Sequence, residues 1–296
     1  MKIVNKNSFR AWLLAMRPKT LAAGSVPVLV ASALAQSVGS FRLLPAVLCL
    51  AFALLAQIAS NFANDYFDFV KKTDDETRLG PARAVASGWI SPQAMLRATL
   101  VAIVLACFAG LGLIAFGGWT MIIVGALCIL ALLAYTAGPY PLAYHGLGDV
   151  FVLVFFGLVA VVFSFFVQAG YFFPPAFIAG AVVGLGAVNI LVVNNFRDRD
   201  TDRTSNKHTT IVIFGEVFGN YFYLINGIAA VVLCAFFFSH KPLAAILPLG
   251  YLPFHFTAWK KMRVIWRGRE LNRILGRTAA NLLLLGVLLS VGLLID

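Results

Sequence analysis

Two short stretches hold five of the chain's twelve acidic residues beside paired asparagines. The first reads Ser60-Asn61-Phe62-Ala63-Asn64-Asp65-Tyr66-Phe67-Asp68; the second reads Asn194-Asn195-Phe196-Arg197-Asp198-Arg199-Asp200-Thr201-Asp202, with Lys207 close behind. On a helix, positions i, i+3, i+4 and i+7 share a face, so Asn61, Asn64, Asp65 and Asp68 form one polar stripe while Phe62 and Phe67 turn away. Asn194, Asn195, Asp198 and Asp202 form a second stripe. Hard oxygen ligands grouped this way suit Mg²⁺, which binds through few protein carboxylates and completes its shell with substrate phosphates. Arg78, Arg83 and Lys207 lie close to the acids in sequence and are candidate clamps for the remaining oxygens of a diphosphate. Lys71 and Lys72 read as interface charges. The bland alternative for either cluster is a solvated helix end neutralised by neighbouring Lys and Arg. Two matching stripes argue against it, because polar residues near membrane depth are costly and mark function.

A third segment, Tyr135 to Asp149, is rich in Gly, Pro and Tyr and reads as a tight loop. Tyr135 and Tyr140 are candidates to touch an aromatic acceptor or a phosphate. For Tyr140 and Tyr144 an interfacial aromatic belt is the competing reading. Asp149 stands at a helix start as either an N-cap or a base, and the sequence does not separate the two. His145 is a lone loop histidine without an assigned role.

The elements that must position these residues follow from composition. Of 296 residues, 61% are hydrophobic and 12% charged, about half the charge of an ordinary soluble domain (roughly 25%), so the chain cannot hide its apolar surface in water. Crossing a hydrocarbon core takes roughly 20 apolar residues. Such runs predict helices near 20–37, 42–69, 94–116, 119–137, 148–169, 175–196, 216–238, 243–260 and 276–295. The expected fold is all-α and integral to the membrane, about nine helices around a central cavity, in one domain over 1–296. The two clusters fall four helices apart at the same end of a helix, as if a four-helix unit were repeated.

Charge sets the expected direction. Short loops rich in Lys and Arg stay in the cytoplasm. With the N-terminus inside, the 23 Lys and Arg all fall on the cytoplasmic side except Arg42 and Lys241. The C-terminus is then outside, and the expected location is the inner (plasma) membrane. The net charge of +11 sits in short clusters between apolar runs, which favours phosphates and lipid headgroups over nucleic acid. Lys2, Lys6, Arg10, Arg17 and Lys19 before the first run imitate a signal peptide, but many spans follow and no small-residue cleavage site is evident, so the segment reads as the first helix. Cys49, Cys107, Cys128 and Cys234 lie inside apolar runs without metal-ligand spacing and read as small core residues.

On these residues the chain resembles the UbiA superfamily of intramembrane prenyltransferases, whose hallmark is two Asp-rich motifs at the cytoplasmic ends of the second and sixth of nine helices. Asn61-x-x-Asn64-Asp65-Tyr66-x-Asp68, Gly80-Pro81-x-Arg83, Tyr135-Thr136-x-Gly138-Pro139-x-Pro141-Leu142 and Asn194-Asn195-x-Arg197-Asp198-x-Asp200-x-Asp202 look most like the branch that prenylates 1,4-dihydroxy-2-naphthoate. One departure stands out: the third aspartate expected four residues after Asp68 is Lys72. That points away from the 4-hydroxybenzoate branch and leaves the first metal site with fewer carboxylates.

The resemblance implies Mg²⁺ held by Asn64, Asp65, Asp68, Asp198 and Asp202, with Asp65, Asp68, Asp198, Asp202 and Lys207 catalytic. Asn61, Asn64, Arg78, Arg83, Tyr135, Tyr140, Asn194 and Asn195 would contact substrates. It further implies a prenyl diphosphate and an aromatic acceptor as partners and a lateral opening to the lipid bilayer for the isoprenoid tail. The rival within the superfamily is another acceptor, such as homogentisate, 4-hydroxybenzoate, a chlorophyllide, a haem or a glycerol phosphate. The rival outside it is a cation-coupled transporter, although transporters place coupling charges near the midplane on broken helices and these acids cluster at one face.

Overall fold

The computed structural model describes residues 4–71, 78–138 and 140–296. Lys72, Asp74, Asp75, Glu76 and Pro139 lie outside the described residues. The described chain is helical, with no strand.

A short helix α1 (Phe9–Met16) opens the chain, its first turn capped by the Ser8 hydroxyl accepting from Ala11 N–H at 3.2 Å. It ends at Arg17, whose φ of 52° breaks the helix before α2 (Pro18–Ser37) restarts with proline in its first turn. Then come α3 (Leu43–Val70), α4 (Pro92–Gly112), α5 (Thr120–Thr136), α6 (Gly148–Ala169), α7 (Pro174–Thr204), α8 (Glu216–Cys234), α9 (Leu252–Ile265) and α10 (Leu271–Ile295). Seven of these helices are long and apolar enough to cross a membrane, and α5 is a shorter apolar one.

Three expectations are corrected in detail. The run predicted at 243–260 is broken into a helical turn Pro242–Ile246, a tight 3₁₀ stretch Leu247–Tyr251 and α9, because Pro248 and Pro253 cannot donate to a continuous ladder. The run predicted at 94–116 stops at Gly112, and Ile114–Gly117 forms a separate turn. The run predicted at 175–196 continues helical to Thr204, two turns past its apolar part. The second acidic cluster therefore sits wholly on a helix, and Arg197, Arg199 and Asp202 are buried there.

Small residues let the helices approach closely, as membrane interfaces require. A Cβ on Gly157 of α6 would stand 2.5 Å from the Gly180 carbonyl oxygen of α7 and 2.6 Å from the Gly184 Cα. Around that contact, Leu153–Val159 of α6 widens into a π-helical stretch. Gly286 likewise lets α10 seat against Val26 of α2. The main core joins α2, α6, α7, α8 and α10 through Val30, Phe165, Val183, Ala230 and Leu285. α3 packs along α4 and, with α5, completes a cavity open to both acidic clusters.

Candidate active site

The cavity has a volume of about 340 Å³. At one end it is lined by Arg17, Asn61, Asn64, Asp68, Arg78, Arg83, Asn194, Asn195 and Lys207, with Tyr135, Thr136 and Tyr144 beside them. The rest is apolar, bounded by Phe52, Val124, Phe155 and Phe163 and reaching Val28, Cys49, Leu113, Met121 and Val167 at the far end. Cys49 and Asp68 are nineteen residues apart on one helix, so the apolar limb runs about 28 Å from the charged end.

The two stripes are brought together as the spacing predicts, but they are not used evenly. Asn64 and Asp68 face the cavity. Asp68 pairs with Arg83 at 2.5 Å, both largely buried. Asp65 does not line the cavity. Its Oδ2 accepts from Ala84 N–H at 2.9 Å and its Oδ1 from Val85 N–H at 3.1 Å, so this carboxylate anchors the loop that carries Arg83. Asn61 donates to the Met16 carbonyl at 2.9 Å and the Thr20 hydroxyl at 3.1 Å, tying the α1–α2 break to α3 and holding Arg17 at the cavity wall.

On α7, Asn194 and Asn195 line the cavity. Asp198 is gripped by Arg197 through two bonds of 2.7 and 2.5 Å, and the same guanidinium donates to Asn194 Oδ1 at 2.7 Å and to Asn272 Oδ1 at 2.8 Å. Gly80 rests on this group: a Cβ there would come 2.9 Å from Arg197 Nη2. Asp202 Oδ1 lies 3.3 Å from Lys207 Nζ. Asp200, on the outer face, is 3.9 Å from Arg267.

Lys207 lies at the centre of the charges. Burial alone would lower its pKa, but Asp202, Asp68, Tyr135 and Asp198 outweigh that and hold it above the ordinary lysine value. It is therefore a fixed positive charge shared by both clusters. Lys71, at the rim, is lowered by burial against a partial counter-effect from Asp68; it donates to the Thr136 carbonyl at 2.7 Å. Both cations lie over the Tyr144 ring, Lys71 Nζ at 4.9 Å and Lys207 Nζ at 5.9 Å from its centroid.

Tyr140 is corrected as a substrate contact: it is 59% exposed, stacks on His145 and does not line the cavity. Tyr144 lines the cavity instead, at the end of the 3₁₀ turn Leu142–Tyr144, where its carbonyl accepts from His208 N–H at 2.9 Å. Asp149 is buried and accepts from the Thr210 hydroxyl. The sequence marks Arg17 only as one of the basic residues before the first apolar run, and its φ of 52° is not legible there.

Among the described residues no three His, Cys, Asp or Glu side chains gather as a metal cluster. Asp65 is committed to backbone amides and Asp198 to Arg197. The donor chemistry nevertheless fits Mg²⁺. Asn64 Oδ1 and Asp202 Oδ2, one from each cluster, are buried without a hydrogen-bond partner. Hard oxygens left without donors are what a cation bound mainly through substrate phosphates would use.

Residues 25–293 match the model of the UbiA prenyltransferase family. The chain belongs to the UbiA family. This UbiA protein is 37% identical over 295 residues to a 1,4-dihydroxy-2-naphthoate octaprenyltransferase of Escherichia coli, covering 96% of this chain and 95% of that one. It is 32% identical to the protein of the same name from Haemophilus influenzae, covering 99% and 98%. Among solved structures, a UbiA homolog from Archaeoglobus fulgidus bound to GPP and Mg²⁺ superposes with a TM-score of 0.64 at 17% identity, over 97% of this chain and 100% of that one. The apo structure of a UbiA homolog from Aeropyrum pernix K1 gives 0.67 at 16% identity, over 93% and 97%. Family membership sets the transporter reading aside.

The role of Asp65 is testable apart from catalysis. Asp65→Ala leaves two buried amide N–H groups without acceptors, at about 1–3 kcal/mol each. The expected result is a lowered thermal midpoint in detergent, with Asp65→Asn intermediate because one carbonyl oxygen remains. An unchanged midpoint in Asp65→Ala would show that the anchor is not needed.

Proposed function

We propose that the protein transfers a polyprenyl group from a prenyl diphosphate to 1,4-dihydroxy-2-naphthoate, releasing diphosphate and CO₂, in menaquinone biosynthesis. The observation that carries this reading is the cavity itself: asparagines of both clusters, Asp68 and four cations meet at one end of a long apolar limb. That end suits a diphosphate and the limb suits an isoprenoid. The naphthoate acceptor comes from the names of the relatives that match nearly the whole chain.

Arg17, Arg78, Arg83 and Lys207 would hold the diphosphate and stabilise the charge it gains as its bond to the allylic carbon breaks. Mg²⁺, when bound through Asn64, Asp68 and Asp202, supplies further neutralisation of the leaving group. The apolar wall keeps water from the allylic cation. The electron-rich ring carbon bearing the carboxylate attacks that cation. Loss of CO₂ returns the electrons of the broken carbon–carbon bond to the ring, so no base need remove a proton from the attacked carbon. The product is the reduced form of demethylmenaquinone. The charge distribution supports a cytoplasmic N-terminus, a C-terminus outside and residence in the inner (plasma) membrane.

The test is prenyl transfer by purified protein in detergent, offering 1,4-dihydroxy-2-naphthoate against 4-hydroxybenzoate and homogentisate, with and without Mg²⁺. The expected outcome is magnesium-dependent prenyl naphthoquinol with one CO₂ per transfer, abolished by EDTA and restored by Mg²⁺. Transfer only to another acceptor would replace the naphthoate assignment.

A further inference from the structure

The helices α5 and α6 are consecutive in sequence, yet each packs chiefly on other partners, α5 on α3 and α4, α6 on α7 and α2. The apolar limb of the cavity occupies the cleft between them. On α5 the inward stripe is Met121, Gly125, Cys128, Leu132 and Tyr135, at helical spacing. The opposite face carries Ile123, Leu127 and Leu130, each more than half exposed where lipid would lie. Gly125 is the gap in the stripe: a Cβ built there meets nothing within 4 Å. Four residues deeper, Met121 closes the limb, packed against Gly117 and Val167.

Along α5, Gly125 lies about 15 Å and Met121 about 21 Å from Tyr135 at the charged end. We propose that the donor's isoprenoid tail lies in the α5–α6 cleft and that Gly125 is a specificity-determining residue, its missing side chain providing the room that a long tail needs. This rests on the prenyl-diphosphate part of the function proposed above and not on the acceptor. A short tail ends before Gly125 and is indifferent to it. A longer one passes it, and any bulk there meets the chain.

The test measures donor binding without acceptor, so its failure is separate from a wrong acceptor. Thermal stabilisation of the purified protein by geranyl and by geranylgeranyl diphosphate, each with Mg²⁺, is compared for wild type, Gly125→Phe, Gly125→Leu and Gly125→Ala. Stabilisation of the wild type by both donors establishes the prenyl-diphosphate reading on its own; stabilisation by neither overturns that reading and the tail assignment with it. Gly125→Phe should keep its affinity for the short donor and lose roughly 10–200-fold for the long one, the range of pocket contacts measured in methylenes. Gly125→Leu should do the same to a smaller degree, and Gly125→Ala should match wild type. Leu127→Phe, on the lipid face, should discriminate between neither donor. Equal loss for both donors in Gly125→Leu, or no loss for the long donor in Gly125→Phe, overturns the assignment.

Discussion

Asp68→Ala is expected to lower kcat/KM by roughly 10²–10³-fold, the scale seen when one preorganised electrostatic partner is removed from a reacting site. Asp68 is the carboxylate of the first cluster that lines the cavity, and it holds Arg83 at 2.5 Å. In the reaction proposed above, its removal would take an oxygen from the metal's ligands and release Arg83 from the position in which it would hold the diphosphate. Asp68→Asn keeps the shape but not the charge and should fall nearly as far. Steady-state transfer assays, with the thermal midpoint as a control for folding, decide the matter. Activity within threefold of wild type in a folded Asp68→Ala protein would remove this residue from the chemistry.

Arg197→Met should give the largest loss of stability. The guanidinium is fully buried, and its bonds join Asp198 and Asn194 on α7 to Asn272 on α10. Asn272 in turn donates to the Leu79 carbonyl at 2.8 Å, and Gly80 leans on the guanidinium itself. One side chain therefore fixes the loop that leads to Arg83. Taking it away leaves the Asp198 carboxylate, 14% exposed, without its guanidinium partner, with about 3–5 kcal/mol as the upper bound set by fully buried pairs. Arg197→Lys should not rescue, since a single ammonium cannot reproduce the planar fork. Adding Asp198→Leu to Arg197→Met should recover part of the stability, because the stranded charge is gone. Unfolding in mild detergent with denaturant measures all three. A fully stable Arg197→Met protein would mean that the network is dispensable.

The apolar runs located the membrane helices because burial in lipid leaves one strong, length-dependent signature. The two clusters were legible for a related reason: acids are so scarce in this chain that their placement carries information. What the sequence left open was finer than helical spacing resolves. Asn64 and Asp65 are neighbours about 100° apart on the helix, so both fit one broad stripe but only one can face the cavity squarely. The structure gives that place to Asn64 and turns Asp65 toward Ala84 and Val85, a contact made by a loop with no sequence signature of its own. Helix α7 outran its apolar segment because its charged turns are buried by protein rather than lipid: Arg199 bonds the carbonyls of Phe196 and Trp266 and pairs with Glu216 at 3.1 Å. Hydropathy cannot register such burial. Tyr140 and Tyr144 differ in fate across a single 3₁₀ turn.

The widened turn in α6 has a consequence for how that helix tolerates changes of length. Phe151, Phe155, Val159, Phe163 and Val167 all line the cavity, a repeat of four rather than 3.6 residues. In an unbroken α-helix the last of these would have rotated about 160° away from the first. The π-helical stretch Leu153–Val159 absorbs much of that drift, so both halves of the wall look the same way. α6 thus behaves as two α-helical segments joined with one residue to spare. Deleting a single residue between 153 and 159 removes the spare one, and a continuous α-helix would then carry Val167 only about 60° from Phe151, whereas the same deletion in the α-helical half beyond 160 leaves the π-helical stretch in place and swings everything after it by about 100°.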